Sequence, residues 1–285
     1  MFKAIILEDS EYNGSRLTTF QISLPKYLLQ EFNTHRMFSR NFSSSRAIPL
    51  EKNLENCSFT PVYFGVNKSG MQSDNEVDEE TKKICEYIWE DAKLNAKSSA
   101  SVLFNKGDVH KQVCNRLVEP FAWAHGVVTA TNFDNFFMLR AEKSAEPNIC
   151  YEATLMGIEF LKSKPKKLTA GDWHIPFIRE EEKTLSLEDQ KIMSVARCAR
   201  SSYNNFYGKN DFESDKKLFN LLKESGHWSP FEHQAEAGVS DLGGNFGKYW
   251  KQHRKTVEPV EKDFNLQQRI EEMKELCKSR GYTFE

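Results

Sequence analysis

Residues 2–24 constrain the fold more than any other stretch of this chain. Leu17, Thr19, Gln21 and Ser23 alternate with Thr18, Phe20, Ile22 and Leu24, the period-two pattern of a strand with two distinct faces. The short apolar run Ala4–Leu7 lies before it, and Asn13-Gly14 stands between the two. Two strands over residues 2–8 and 16–23, joined near Asn13-Gly14, are therefore expected at the start of the chain. Pro25 follows at a position where a helix can begin, because its missing N–H costs nothing in a first turn. A helix from there puts Leu28, Phe32 and His35 on one face with Leu29 and Arg36 beside them. His35 and Arg36 then arrive at its C-terminal end, where positive charge suits the helix dipole.

The remaining chain mixes helices and strands without regular alternation. Residues 50–77 are polar and poorly periodic, which predicts a long loop, and a helix is expected over Glu79–Leu103. Trp123–Thr131 reads as a buried strand and Phe133–Arg140 as the next helix, with Phe133, Phe136 and Phe137 in the core. Pro147 opens a helix with Ile149, Ala153, Met156 and Phe160 along one face, and the lysine-rich Lys162–Lys167 begins a linker over 162–186. A helix through Ile192, Val195, Ala196 and Ala199 ends near Ser202-Tyr203. Ser214 is the expected N-cap of another, which carries Leu218, Leu221 and Leu222 and stops at Gly226. Helices near Phe246–Arg254 and Phe264–Ser279 make a helical tail over 245–285. The pattern implies one α+β domain over 1–285, a mixed sheet with packed helices.

Composition narrows the functions. A formal net charge of −2 gives no global basic field for nucleic acid or an anionic membrane, so any phosphate contact needs a local cluster of arginines. No run of eighteen apolar residues exists, and Ala4–Leu7 is too short for a secretory signal. The six cysteines are far apart with no CxxC pair, which fits reduced thiols in a cytoplasmic protein. No HxxxH or HExxH spacing occurs, so no metal site is expected.

One stretch concentrates the chemistry. Thr34-His35-Arg36-Met37-Phe38-Ser39-Arg40-Asn41-Phe42-Ser43-Ser44-Ser45-Arg46 packs three arginines, a row of serines and an amide into thirteen residues. Guanidinium forks match phosphate oxygens, and hydroxyls complete such a cradle. A basic turn after a helix would look the same in sequence. A P-loop is excluded because G-x-x-x-x-G-K-[ST] is absent, and Gly243-Gly244-Asn245-Phe246-Gly247 does not fit G-x-G-x-x-G.

The spacing of His35, Arg36, Ser39, Asn41, Ser44 and Arg46 resembles the RHRxxSxNExSxR motif of flavin-dependent thymidylate synthases. Gly226-His227-Trp228-Ser229-Pro230-Phe231-Glu232-His233 resembles that family's GHxxPFEH segment, and Ala199-Arg200-Ser201-Ser202-Tyr203 its ARxSF. Asn135–Arg140 and Ala145–Ile149 resemble its NFLxLR and AQxEI runs. In the family the PFEH segment precedes the RHR segment; here it follows, so the chain looks circularly permuted. The tail Gly244–Arg254 looks like a second helix ending in His-Arg.

The resemblance implies a thymidylate synthase-like fold and an FAD enzyme that uses methylenetetrahydrofolate and NADPH to methylate C5 of dUMP. It places His35, Arg36, Ser39, Ser202, His233, Asn135 and Arg140 at the cofactor, with His233 and Ser202 towards its folate side. Ser44, Ser45 and Arg46 would hold the nucleotide, and Arg46, Ser44 and Asn41 would serve catalysis. It also implies a homotetramer whose sites assemble between subunits. Phe42 departs from the motif's glutamate, Thr34 from its first arginine, and Cys150 from an arginine that reads the base. These departures leave open a sister enzyme that methylates or hydroxymethylates another pyrimidine deoxynucleotide, such as dCMP. A nucleotide-binding relic without catalysis and a nucleic-acid-binding protein that uses the Arg-Ser cluster are the other readings.

Overall fold

The computed structural model describes residues 1–71, 73, 75–201, 211–240, 244–259 and 265–284. Strands β1 (Lys3–Tyr12) and β2 (Ser15–Pro25) pair antiparallel and run right up to Asn13-Gly14. Both turn residues have positive φ, 48° and 77°, a geometry whose twist matches the flanking strands and which Gly14 adopts without a steric cost. The hairpin is thus longer than its apolar pattern, since the turn and not hydrophobicity fixes where the strands end.

A single 3-10 turn, Lys26–Leu28, and the four-residue α1 (Leu29–Phe32) follow, then β3 (Ser39–Phe42) and α2 (Leu50–Asn56). Helix α3 (Glu79–Gly107) begins at Asp78, whose carboxylate accepts the Thr81 N–H. Short α4 (Lys111–Cys114) and a 3-10 segment (Asn115–Phe121) lead into β4 (Trp123–Ala130), then α5 (Asp134–Arg140) and α6 (Pro147–Lys162). Pro147 fills the first turn of α6, and the Glu146 carboxylate caps it by accepting the Asn148 and Ile149 N–H groups.

The two-residue strands β5 (Lys166–Lys167) and β6 (Trp173–His174) precede α7 (Leu187–Arg200) and α8 (Phe212–Ser225). A 3-10 turn (Ser229–Glu232), β7 (Ala235–Ala237), β8 (Trp250–Gln252), α9 (Arg254–Val257) and α10 (Leu266–Ser279) complete the described chain.

The fold is α+β. Five strands in the order β3-β4-β2-β1-β5 make a mixed sheet, parallel only between β1 and β5, and β6-β7-β8 form a small antiparallel sheet. Helices α5 and α6 cover one face of the large sheet, burying Phe133, Phe136, Ile149 and Met156 against Phe20, Ile22 and Leu24. Full burial of each such side chain stabilises by about 1.5–3 kcal/mol.

Several expectations change. Helix α1 stops at Phe32, so His35 and Arg36 lie in the turn beyond it and not on its last turn. The expected loop 50–77 opens with α2. The expected linker 162–186 joins both sheets: β5 pairs with Ser10 and Glu11, and β6 pairs with β7. Asp211, not Ser214, caps α8, because its carboxylate accepts the Ser214 N–H at 2.8 Å. Around Phe246–Arg254 a strand and a short helix replace the expected helix, since Trp250 and Gln252 alternate inward about Lys251 with period two.

Candidate functional site

Strand β3 is where the ARSS and PFEH segments meet the first motif. It is an edge strand, paired on one side with β4 from Ser39↔Thr129 to Phe42↔Gly126. Its other side receives α7 and the Ser229–Glu232 turn. Asn41 Nδ2 donates to the Cys198 carbonyl at 2.6 Å and to Ser201 Oγ at 2.8 Å. Ser201 Oγ in turn donates to the Asn41 carbonyl at 3.0 Å, and Ser229 Oγ to Asn41 Oδ1 at 3.4 Å. Gln252 Nε2 bridges Ser39 Oγ at 2.8 Å and the Glu232 carbonyl at 3.1 Å. The ARSS and PFEH segments, distant in sequence from the first motif, are therefore bonded directly to it.

The third segment reaches the other end. Arg140, on the last turn of α5, donates from Nε to His35 Nε2 at 3.2 Å and pairs with Glu31 at 3.1 Å. A guanidinium only donates, so Nε2 of His35 must accept and the ring proton sits on Nδ1. His35 stacks on Phe38 and meets the edge of Phe136. Burial, with Arg140 and Arg40 close by, lowers its pKa below the ordinary imidazole value and keeps it neutral.

The expected ligand contacts divide into two groups. Arg36 and Arg46 flank β3 at opposite ends, both exposed, and neither guanidinium has a hydrogen-bond or ion-pair partner among the described residues. Ser44, half-buried, starts the turn before Arg46 and accepts its N–H at 3.3 Å. Asn135 is exposed on α5. By contrast Ser39, Asn41, Ser45 and His233 are buried and use their polar atoms inside the fold. Ser45 is locked between Lys26 and Glu119, while its carbonyl accepts from Asn115 Nδ2 at 2.8 Å. These four, like buried His35, sit beneath the surface of the cluster. Ser202 lies outside the described residues.

His233 belongs to a buried chain that the sequence did not disclose. Its Nδ1 meets Thr129 Oγ1 at 2.8 Å, Thr129 meets Thr19 Oγ1 at 2.8 Å, and Thr19 meets His174 Nε2 at 2.8 Å. His174 Nδ1 reaches Ser10 Oγ at 2.9 Å. His233 Nε2 is buried without a partner. Two proton orders satisfy the links. One begins with Ser10 as donor and strands an N–H at His233 Nε2. The other runs from His233 Nδ1–H through both threonines to Ser10 and leaves only a lone pair unmet. Orphaned buried N–H groups are the rarer kind, so the second order is favoured. Both rings must be neutral for either order, and burial pushes each pKa down to about 3.

The departures from the motif also find physical places. Phe42 packs on Phe32 and over Gly126, where a Cβ would stand 2.2 Å from its ring. Cys150, half-buried on α6, lines a cavity of about 550 Å³ with Lys143, Tyr63 and Tyr151. Arg254, the arginine of the tail His-Arg pair, is bonded to Glu232 and Glu258.

By sequence the chain matches no family model and no curated protein. Among solved structures it is similar to a UMP/dUMP methylase, PolB, from Streptomyces cacaoi. The form with 5-Br UMP is 14% identical, with TM-score 0.47, over 57% of this chain and 89% of that one. The form with 5-Br dUMP is 16% identical, with TM-score 0.45, over 52% and 67%. A flavin-dependent thymidylate synthase from Helicobacter pylori, complexed with FAD and dUMP, is 17% identical, with TM-score 0.36, over 50% and 67%. Among the described residues no helix is long and apolar enough to cross a membrane.

Proposed function

We propose that the chain is a flavin-dependent nucleotide C5 methyltransferase that takes dUMP, methylenetetrahydrofolate and NADPH with FAD as cofactor. The observation that carries this reading is the convergence on β3. Motif segments far apart in sequence bond to one another: Asn41 to Ser201 and Ser229, and His35 to Arg140, a proximity that supports a single site.

The residues on the surface of that cluster fit an anionic ligand. Arg36 and Arg46 are unneutralised, and His35, buried just beneath them, is neutral with its proton on Nδ1. Arg36 and His35 would hold FAD, with Asn135 at the rim and Arg140 behind His35. Arg46 and Ser44 would hold the nucleotide phosphate. Bound flavin supplies the redox chemistry. The protein's part is positioning: Asn41 and Gln252 fix β3, the Arg140–Glu31 pair fixes His35, and the two free guanidiniums orient the anions. No cysteine nucleophile is assigned.

A sister activity on dCMP is the second reading, favoured by Cys150. A thiol stands on a cavity wall where the resembling family carries a base-reading cation, and a missing hydrogen-bond partner changes base selection strongly. Mass analysis of dUMP and dCMP after incubation with protein, FAD, NADPH and methylenetetrahydrofolate tests both. A methyl on dUMP supports the first, a one-carbon adduct on dCMP the second. An unchanged pool of both contradicts the enzyme readings.

A further inference from the structure

At the other end of β4 from Thr129, roughly 20 Å along the strand, lies a cleft of about 710 Å³ that the proposed activity does not use. Its size is that of a small-molecule site. The start of β1, the start of β4, residues 58–62 and the outer face of α6 enclose it.

Its walls are aromatic and fixed before any ligand arrives. Phe2 stands edge-on to Trp123 at 5.1 Å and to Tyr151 at 5.0 Å, and Phe59 edge-on to Trp123 at 5.5 Å. The Trp123 indole N–H donates to Ser58 Oγ at 3.1 Å, and the Trp89 indole N–H donates to the Phe59 carbonyl at 3.0 Å. Tyr151 is 53% exposed and Val62 70%, so apolar surface at the mouth faces water. A flat ring is the shape that gains most from such walls, through offset and edge contacts.

Charge selects further. Two positive groups belong to the described lining residues, Lys3, whose Nζ donates to Gln21 Oε1 at 3.4 Å, and the Met1 ammonium, whose pKa burial lowers. Glu152 lies behind the same wall with the backbone of Lys3 and Ser23 against its carboxyl, fully buried. Burial raises its pKa well above the carboxylate range, so it adds no negative charge there.

We propose that this cleft is a second ligand site, for a planar aromatic anion whose ring lies against Trp123, Phe2 and Tyr151 and whose acidic group faces Lys3. The site stands independently of the methyltransferase reading. The test is titration of the full chain with 2-naphthoate, followed by backbone amide shifts. Saturable shifts confined to Phe2–Ala4, residues 58–62, Trp123 and Tyr151 are expected. Lys3→Gln and, separately, neutral 2-naphthalenemethanol in place of the acid should each weaken binding roughly tenfold. Tyr151→Leu, at an exposed position that leaves folding intact, should weaken it too. Absence of shifts at millimolar probe, shifts of equal strength with cyclohexanecarboxylate, or indifference to both substitutions would overturn the proposal, as would a second copy of the chain covering the cleft.

Discussion

At the scale of single residues, burial separates side chains that face water from those bonded inside the fold. Arg46 is exposed and unpaired, so Arg46→Ala should leave stability within about 0.5 kcal/mol of the parent. On the proposed function it weakens nucleotide binding far more than FAD binding, measured by parallel titrations; equal loss of both contradicts the assignment. Thr129 is the opposite case. Thr129→Val removes the hydroxyl that joins Thr19 to His233 and leaves two buried groups unmet, at about 1–3 kcal/mol each. Thr129→Ser keeps the hydroxyl and should recover most of that in urea unfolding. If Val and Ser behave alike, the chain of hydrogen bonds contributes nothing. The sequence singled out His233 but gave no signal for Thr19, Thr129 or His174. Their roles depend on three strands and a turn that only tertiary structure brings together.

At the scale of elements, β3 is held by Asn41 on one side and by the fit of Phe42 over Gly126 on the other. Gly126→Ala would push a Cβ into the Phe42 ring, and overpacking of this kind costs about 1–3 kcal/mol. A Phe42→Leu partner change should relieve part of it, which a double-mutant cycle in denaturant would read as coupling; strict additivity would show that the two do not share the strain. The elements that were legible in sequence are those with local punctuation: Asn13-Gly14 at the hairpin, Pro147 at the start of α6, Gly226 at the end of α8. The elements misread are those whose pattern is short. Trp250 and Gln252 give only two inward positions, too few to separate a strand from a helix, and Lys166–Lys167 is a strand by its backbone alone, its side chains exposed. The motif spacing marked a region of sequence whose residues lie together in the fold, but burial, which spacing does not encode, decides which of its polar groups face out.

At the scale of the whole molecule, the two buried histidines link stability to acidity. Their pKa values fall to about 3 in the folded chain from 6.5, so between those limits the unfolded chain binds more protons. Their contribution is fully present above about pH 7 and declines as pH falls, while Glu8, raised to about 7 by burial, and buried Glu152 act in the opposite sense. Between about pH 7 and about pH 5 the parent should lose more melting temperature than a His174→Gln variant, and equal slopes would contradict the buried neutral pair. The same scale holds the central claim, that dispersed segments assemble one anion-binding flavin site around β3. Titration of the purified chain with FAD, followed by flavin fluorescence and absorbance, tests it most directly. The account predicts saturable binding with a shifted flavin spectrum, weakened at least tenfold by Arg36→Ala; no binding, or binding indifferent to Arg36, would contradict it.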